Sequence, residues 1–359
     1  MKKIVALLLA LVMVAAFGSS ALAVNEDVSG KLAIYTSMYP IVIEAMDAAL
    51  KEEFPNLEPA FDGSFFFYAG TSKLITKLYG EMETGTLGCD MMLVAEPAFS
   101  FELKEAGYLE PIAIENPGEL LRFPYDEEGY WYPVRVCNMV LAYNPEKVEE
   151  WAAKGVTIPK TFKDFAFDTN LKGLISMGNP LTSGTTFAAV ASLIQDNHYG
   201  VEYLDALRAN DVMIESGSTA IAKLETGECA AIMILEESIL KVLDEAQQAG
   251  TPKTNVACIY PEDGVILIPS TVMTVAEDRS ANVNIEACEA VENWLLSEAG
   301  QRLILGGWMH SVFASMKDIP YDSVDTNWLI EQDLGVDWVN AYQNREAINQ
   351  AWTERVTSK

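Results

Sequence analysis

The 359-residue chain carries 52 Asp+Glu against 24 Lys+Arg, a formal net charge of −28, with half of its residues hydrophobic, five Cys and two His. An apolar half is ample for a folded core and excludes wholesale disorder. The acid excess excludes nucleic acid and anionic membrane surfaces as partners, and two His are too few for a His-rich metal site or a multi-His catalytic centre.

Lys2 and Lys3 precede an apolar run, Ile4–Phe17; Gly18-Ser19-Ser20 breaks it and Ala21-Leu22-Ala23 gives a small-x-small pattern. This reads as a secretory signal peptide cleaved after Ala23, since the run is short of the roughly 20 residues that span a bilayer. Removing it leaves 22 basic against 52 acidic residues, a net charge of −30. The product is expected to be exported and soluble, with no direct membrane insertion. Cys89, Cys137, Cys229, Cys258 and Cys288 are widely spaced, without a C-x-x-C pair. They read as small buried hydrophobes, with one bridge among them left open.

The length suits about two domains. Lys31–Tyr35 reads as a strand, and Ile43, Met46, Ala49, Leu50 and Phe54 share one face of a helix over Ile41–Phe54. Leu57–Phe61 is a weaker strand, and Gly70-Thr71-Ser72 opens a helix over Lys73–Glu83. Cys89–Val94 is a buried-type strand, followed after Glu96-Pro97 by a helix through Ala106. This β-α-β-α-β-α order predicts a parallel sheet with crossover helices.

Tyr132–Tyr143 is a long β-rich run, and Thr161–Phe165 reads as a capped helical turn. Leu174–Met177 is a short strand, and Ser183-Gly184-Thr185-Thr186 opens a helix to Gln195. Tyr203–Asn210 reads as helix and Val212–Ile214 as extended; Ser216–Thr219 opens a helix over Ala220–Glu225, and Ala230–Leu235 is an apolar strand. Val265–Pro269 and Val272–Val275 read as two strands, Ile285–Leu296 as a helix continuing into Arg302–Leu305, and the tail from Asp325 as helical.

The chemistry concentrates in four hydroxyl- and glycine-rich turns, Tyr35–Tyr39, Gly70–Lys73, Thr182–Thr186 and Ser216–Thr219. A helix start offers unpaired N–H groups and partial positive charge, Gly permits close approach, and Ser and Thr add donors. Each cluster is equally a plain N-cap. Arg135, inside the long β-run, needs either a ligand anion or a carboxylate to offset its burial. Glu236 and Glu237 end the strand Ala230–Leu235, where open α/β sheets place ligands; they equally suit a helix start. No G-x-S-x-G, H-E-x-x-H or Walker loop occurs, so no enzyme is expected and no cofactor is implied.

The segments KLAIYTSMYPIVIEAMDAALKEEFP, GTSKLITKL, CDMMLVAEPAFSFELKEAGYLEPI, VRVCNMVLAYNPEKV, LTSGTTFAAVASLI, SGSTAIAKLETGECAAIMILEES and ACEAVENWLLSEAGQRLI occur in this order. Together they resemble the extracellular solute-binding proteins of ABC importers, in the ferric-binding-protein-like branch, over most of Leu32 to Ile304. The resemblance implies an α/β, two-lobed type II periplasmic binding protein with crossover strands, closing on its ligand and docking on a membrane permease. The expected lobes are 24–125 with about 263–320, and 126–262 with 321–359.

Ferric-binding members carry a Tyr-Tyr pair where this chain has Glu236-Glu237-Ser238, and Tyr39 falls near their first-turn His. The resemblance therefore implies a small organic anion, a sugar phosphate above all. Thr36, Ser37, Tyr39, Thr71, Ser72, Arg135, Ser183, Gly184, Thr185 and Ser218 are the candidates for holding it. Glu236 or Glu237 would accept sugar hydroxyls. The alternative is ferric iron on Glu96, Glu237 and a synergistic anion. A charge of −30 opposes polyanionic surfaces, not one small anion held by donors within a turn's reach, because salt screens the remainder over about 8 Å.

Overall fold

The computed structural model describes residues 25–358. The expected signal peptide and its cleavage after Ala23 lie outside the described residues. The chain divides into two compact units, one running up to Val136 and resuming over Pro269–Pro320, the other comprising Cys137–Ile268 and the segment from Tyr321. The expected breaks at 125/126 and about 262/263 are displaced for identifiable reasons. Asp126 pairs with Lys104 at 2.6 Å and Trp131 lies in the first unit's core, which holds 126–136 there. The Val265 amide donates to Gln332 O and the Leu267 amide to Asp333 Oδ1, which ties those residues to the second unit's tail.

In the first unit, Phe66–Tyr68, Ile34–Thr36 and Met91–Val94 are neighbouring parallel strands. The end of the long strand Ile266–Val275 pairs antiparallel with Met91–Val94, placing Thr271 opposite Val94. Each parallel strand feeds a helix: Pro40–Glu53, Thr71–Met82 and Pro97–Glu105. In the first of these, Val42, Ile43, Met46 and Leu50 recur at helical spacing and are buried, and Pro40 stands where a helix needs no N–H. Tyr35, Leu74, Leu78, Met92, Val94, Phe99 and Met273 fill the core between sheet and helices. Lys31–Tyr35 proves to be two short strands, Gly30–Leu32 and Ile34–Thr36. Phe66–Tyr68 was not expected as a strand, because three residues are too few to show periodicity. The pair expected at Val265–Pro269 and Val272–Val275 is one strand, Ile266–Val275, running through Pro269.

In the second unit the strand order is Ala257–Ile259, the end of Tyr132–Tyr143, Ala231–Leu235, Ile175–Met177 and Met213–Ile214. Ile232, Ile234, Ile221, Leu224 and Ile239 join strands and helices in its core. The tail folds as Thr326–Glu331, Trp338–Gln343 and Arg345–Trp352. Trp352 is fully buried, and Ser192 Oγ donates to Gly335 O at 2.6 Å, so the tail is part of the unit rather than an appendage. Trp352→Ala is expected to cost about 3–5 kcal/mol, read as a lower urea midpoint at unchanged m; an unshifted midpoint would show that the tail does not support the fold.

Cys89, Cys137, Cys229 and Cys288 are buried, as packing residues should be, and Cys258 is half-buried. Burial pushes the Cys229 thiol up to about 11 and raises those of Cys89, Cys258 and Cys288 well above the ordinary thiol value.

Candidate functional site

The register of the first unit brings three helix starts to one edge of its sheet. Thr36 lies opposite both Tyr68 and Leu93, so the three strands end together. Their helices begin after Tyr39, Gly70 and Glu96, and none of these residues caps its helix with a side chain. The first amide of the middle helix to bond back is that of Leu74, to Gly70 O. Thr71 and Ser72 therefore sit in a first turn whose N–H groups face outward from the helix end. Thr36 Oγ1 accepts from the Met38 amide at 3.1 Å, and Ser37 Oγ accepts from the Ala95 amide at 3.3 Å. Both hydroxyls thus retain their O–H for a further acceptor. Glu96 is buried at the third helix start.

Ser270 belongs to the same edge and was not foreseen. With Thr271 opposite Val94, Ser270 falls beside Ala95. Its side chain is fully buried, and Oγ has no hydrogen-bond partner. The signal available in the sequence was a small polar residue within an otherwise apolar strand.

Arg135 is 2% exposed. Its Nη1 lies 2.6 Å from Met309 Sδ, a weak acceptor, and its buried Nε has no hydrogen-bond partner. Of the two partners expected for it, a protein carboxylate is not present among the described residues. A guanidinium out of water without a counter-charge costs several kcal/mol, and a docking anion would offset that cost.

The second unit's hydroxyl clusters behave differently. Ser183 Oγ accepts from the Thr186 amide at 3.2 Å and from its hydroxyl at 3.0 Å, and lies 3.2 Å from Thr185 Oγ1. Ser216 Oγ caps the Thr219 amide at 3.3 Å, and Ser218 is exposed, 3.2 Å from Ser216 Oγ. These are capped helix starts. Gly184 and Thr185 occupy a buried first turn.

Glu236 and Glu237 open the helix Glu236–Gln248, and both are buried. Glu236, expected to accept ligand hydroxyls, receives donors from the protein itself. Its carboxylate accepts from Asn138 Nδ2 at 2.9 Å, from the Tyr260 hydroxyl at 2.5 Å and from Ser323 Oγ. Burial and the Glu236 charge push the Tyr260 phenol up, so it stays a donor. Glu236 is thereby committed to the protein's own groups. Among the described residues, no three His, Cys, Asp or Glu side chains are grouped to hold a metal ion. No helix among them is long and apolar enough to cross a membrane.

The first unit thus combines a parallel sheet, helices rising from one edge with uncapped starts, and a buried guanidinium. The chain belongs to the family of bacterial extracellular solute-binding proteins, whose model matches residues 88–326. Solved structures show the same fold. The periplasmic binding protein P5PA is 20% identical, with 92% of this chain and 100% of that one covered and a TM-score of 0.72. AfuA of Actinobacillus pleuropneumoniae, with exogenous fructose-6-phosphate bound, is 18% identical over 92% and 99% of the two chains at a TM-score of 0.74. Iron-bound HitA of Pseudomonas aeruginosa is 19% identical over 89% and 98% at 0.72. The expected two-lobed periplasmic binding fold is borne out.

Proposed function

We propose that the chain is the exported substrate-binding subunit of an ABC importer, released after Ala23, that captures a small organic anion and delivers it to a membrane permease. A sugar phosphate is the solute class that fits best. The observation that carries this reading is Arg135, a guanidinium 2% exposed whose Nε has no hydrogen-bond partner among the described residues. Support comes from the three uncapped helix starts and the spare donors of Thr36, Ser37 and Ser270. The fructose-6-phosphate held by AfuA, a protein of the same fold, agrees with it.

Isothermal titration with fructose 6-phosphate, inorganic phosphate, a phosphonate and citrate tests the reading. Heat from the phosphate ester is expected, and heat from none of the four overturns it. Ferric binding, the alternative, would instead appear as colour and a raised melting temperature with ferric citrate.

Ser270 supplies an independent check. Ser270→Ala removes a buried hydroxyl without a hydrogen-bond partner among the described residues, so the unliganded fold should be as stable or slightly more so. Affinity for the anion should fall about five- to ten-fold. A loss of stability with no change in affinity would contradict the role given to this edge.

A further inference from the structure

Met309 is fully buried in the first unit, against the Arg135 guanidinium of the same unit. Among the described residues its Sδ, 2.6 Å from Nη1, is the one acceptor that the guanidinium has. The chain around this contact is tied down on both sides. The Val136 amide donates to His310 O at 3.1 Å, and the His310 amide donates back to Val136 O at 3.3 Å. Gln301 Nε2 donates to Val134 O at 2.9 Å, and its Oε1 accepts from the Val312 amide at 2.9 Å and from Ser311 Oγ at 2.8 Å. Trp308, next before Met309, sits at φ +63°, a left-handed conformation that a bulky residue keeps only where its surroundings enforce it. A Cβ at Gly307 would come within 2.8 Å of Met309 Cε, so the end of the thioether is fitted against a glycine.

We infer that Met309 is a positioning residue: its thioether holds the Arg135 guanidinium in one orientation without neutralising it, and an incoming anion displaces the sulfur. The inference rests on the anion-binding reading above and deepens it, by giving the reason the guanidinium stays available. An arginine side chain has much rotamer freedom to lose, and a fork already held loses less of it on binding. Thioether sulfur is uncharged and a weak acceptor. A carboxylate or amide oxygen in its place would form a charge-assisted bond about twice as strong as a neutral one, and the solute would have to break it. An aliphatic side chain would compete even less but would leave the fork unheld. Methionine lies between the two, orienting the cation weakly enough to release it.

Titration calorimetry with fructose 6-phosphate and inorganic phosphate, and thermal melts without ligand, test this on the mature full chain. Met309→Gln places an amide oxygen at similar length, and affinity for the ester should fall about ten-fold. Met309→Leu keeps the volume and removes the acceptor, and should lower affinity only about two- to three-fold. The melts show whether the effect runs through Arg135. Beside the guanidinium the new amide has a partner, so Met309→Gln should melt close to wild type. In the Arg135→Met background the same amide is buried without that partner, and the melting temperature should drop about 3 °C below that of Arg135→Met alone. Equal affinity losses in Met309→Gln and Met309→Leu would mark a packing residue and overturn the inference, as would an unchanged affinity in Met309→Gln. A melting temperature that responds to Met309→Gln identically with and without Arg135 would overturn it too. Where wild type binds the ester, these outcomes leave the anion reading standing. Wild type binding neither ligand overturns that reading, and this inference with it.

Discussion

Arg135→Met is expected to lower affinity for a phosphorylated sugar by about 100-fold or more while leaving the unliganded protein as stable as wild type or more so. Charge-assisted hydrogen bonds to a phosphate contribute about 1.5–3 kcal/mol each, so losing even one or two accounts for that factor. The stability side follows from the same burial. Arg135 is 2% exposed, Nε is unpartnered and Nη1 faces only Met309 Sδ at 2.6 Å. Replacing a buried, uncompensated charge with an apolar side chain of similar length removes a desolvation cost and breaks no ion pair. Arg135→Lys should fall between the two in affinity, because an ammonium lacks the planar fork that matches phosphate geometry. Titration calorimetry and thermal melts on the same preparations read both quantities. A variant that loses stability and keeps affinity would make Arg135 a structural residue.

The second large effect concerns pH. Glu292 is buried in the first unit, with Oε2 accepting from Thr274 Oγ1 at 3.0 Å. Desolvation pushes its carboxyl up from 4.5 to about 8, partly opposed by the Thr274 bond. The folded protein therefore holds a proton that the unfolded chain releases near pH 4.5. Stability from this group is fully present below about pH 4.5 and is lost as pH rises through about 8, the reverse of a salt-bridged carboxylate. The span corresponds to an order-of-magnitude loss of about 4–5 kcal/mol. Glu292→Gln keeps shape and polarity without a titrating proton. It should match wild type near pH 5 and exceed it at pH 9 by a few kcal/mol in urea unfolding. Parallel pH profiles for the two proteins would contradict this.

Much of the fold was legible because local signals agreed with tertiary demands. Tyr132–Tyr143 matches its predicted bounds, since a near-continuous apolar run buried on both sides carries a strong pattern. The helices after Thr161, Ser183 and Ser216 were announced by N-caps that make the expected bonds. The site was legible only in outline. Whether a hydroxyl cluster at a helix start caps itself, as at Ser183, or keeps a donor spare, as at Ser37, depends on the preceding strand end, which spacing does not encode. The partners of Glu236 were not legible because Asn138, Tyr260 and Ser323 lie 98, 24 and 87 residues away. Ser270 was overlooked for the same reason, its missing partner being visible only once the sheet is assembled. The chain's overall charge misleads in a related way. A formal −28 describes the surface as a whole, whereas the site reading rests on one buried cation and a few oriented dipoles.

The central claim, that a small anion completes the buried Arg135 guanidinium, is tested most directly by a crystal structure of the mature protein grown with fructose 6-phosphate. The account predicts a phosphate oxygen within about 3 Å of Arg135 Nε, the guanidinium turned from Met309 to meet it. A bound ester whose phosphate is held elsewhere, with Arg135 Nε still unpartnered, would contradict it.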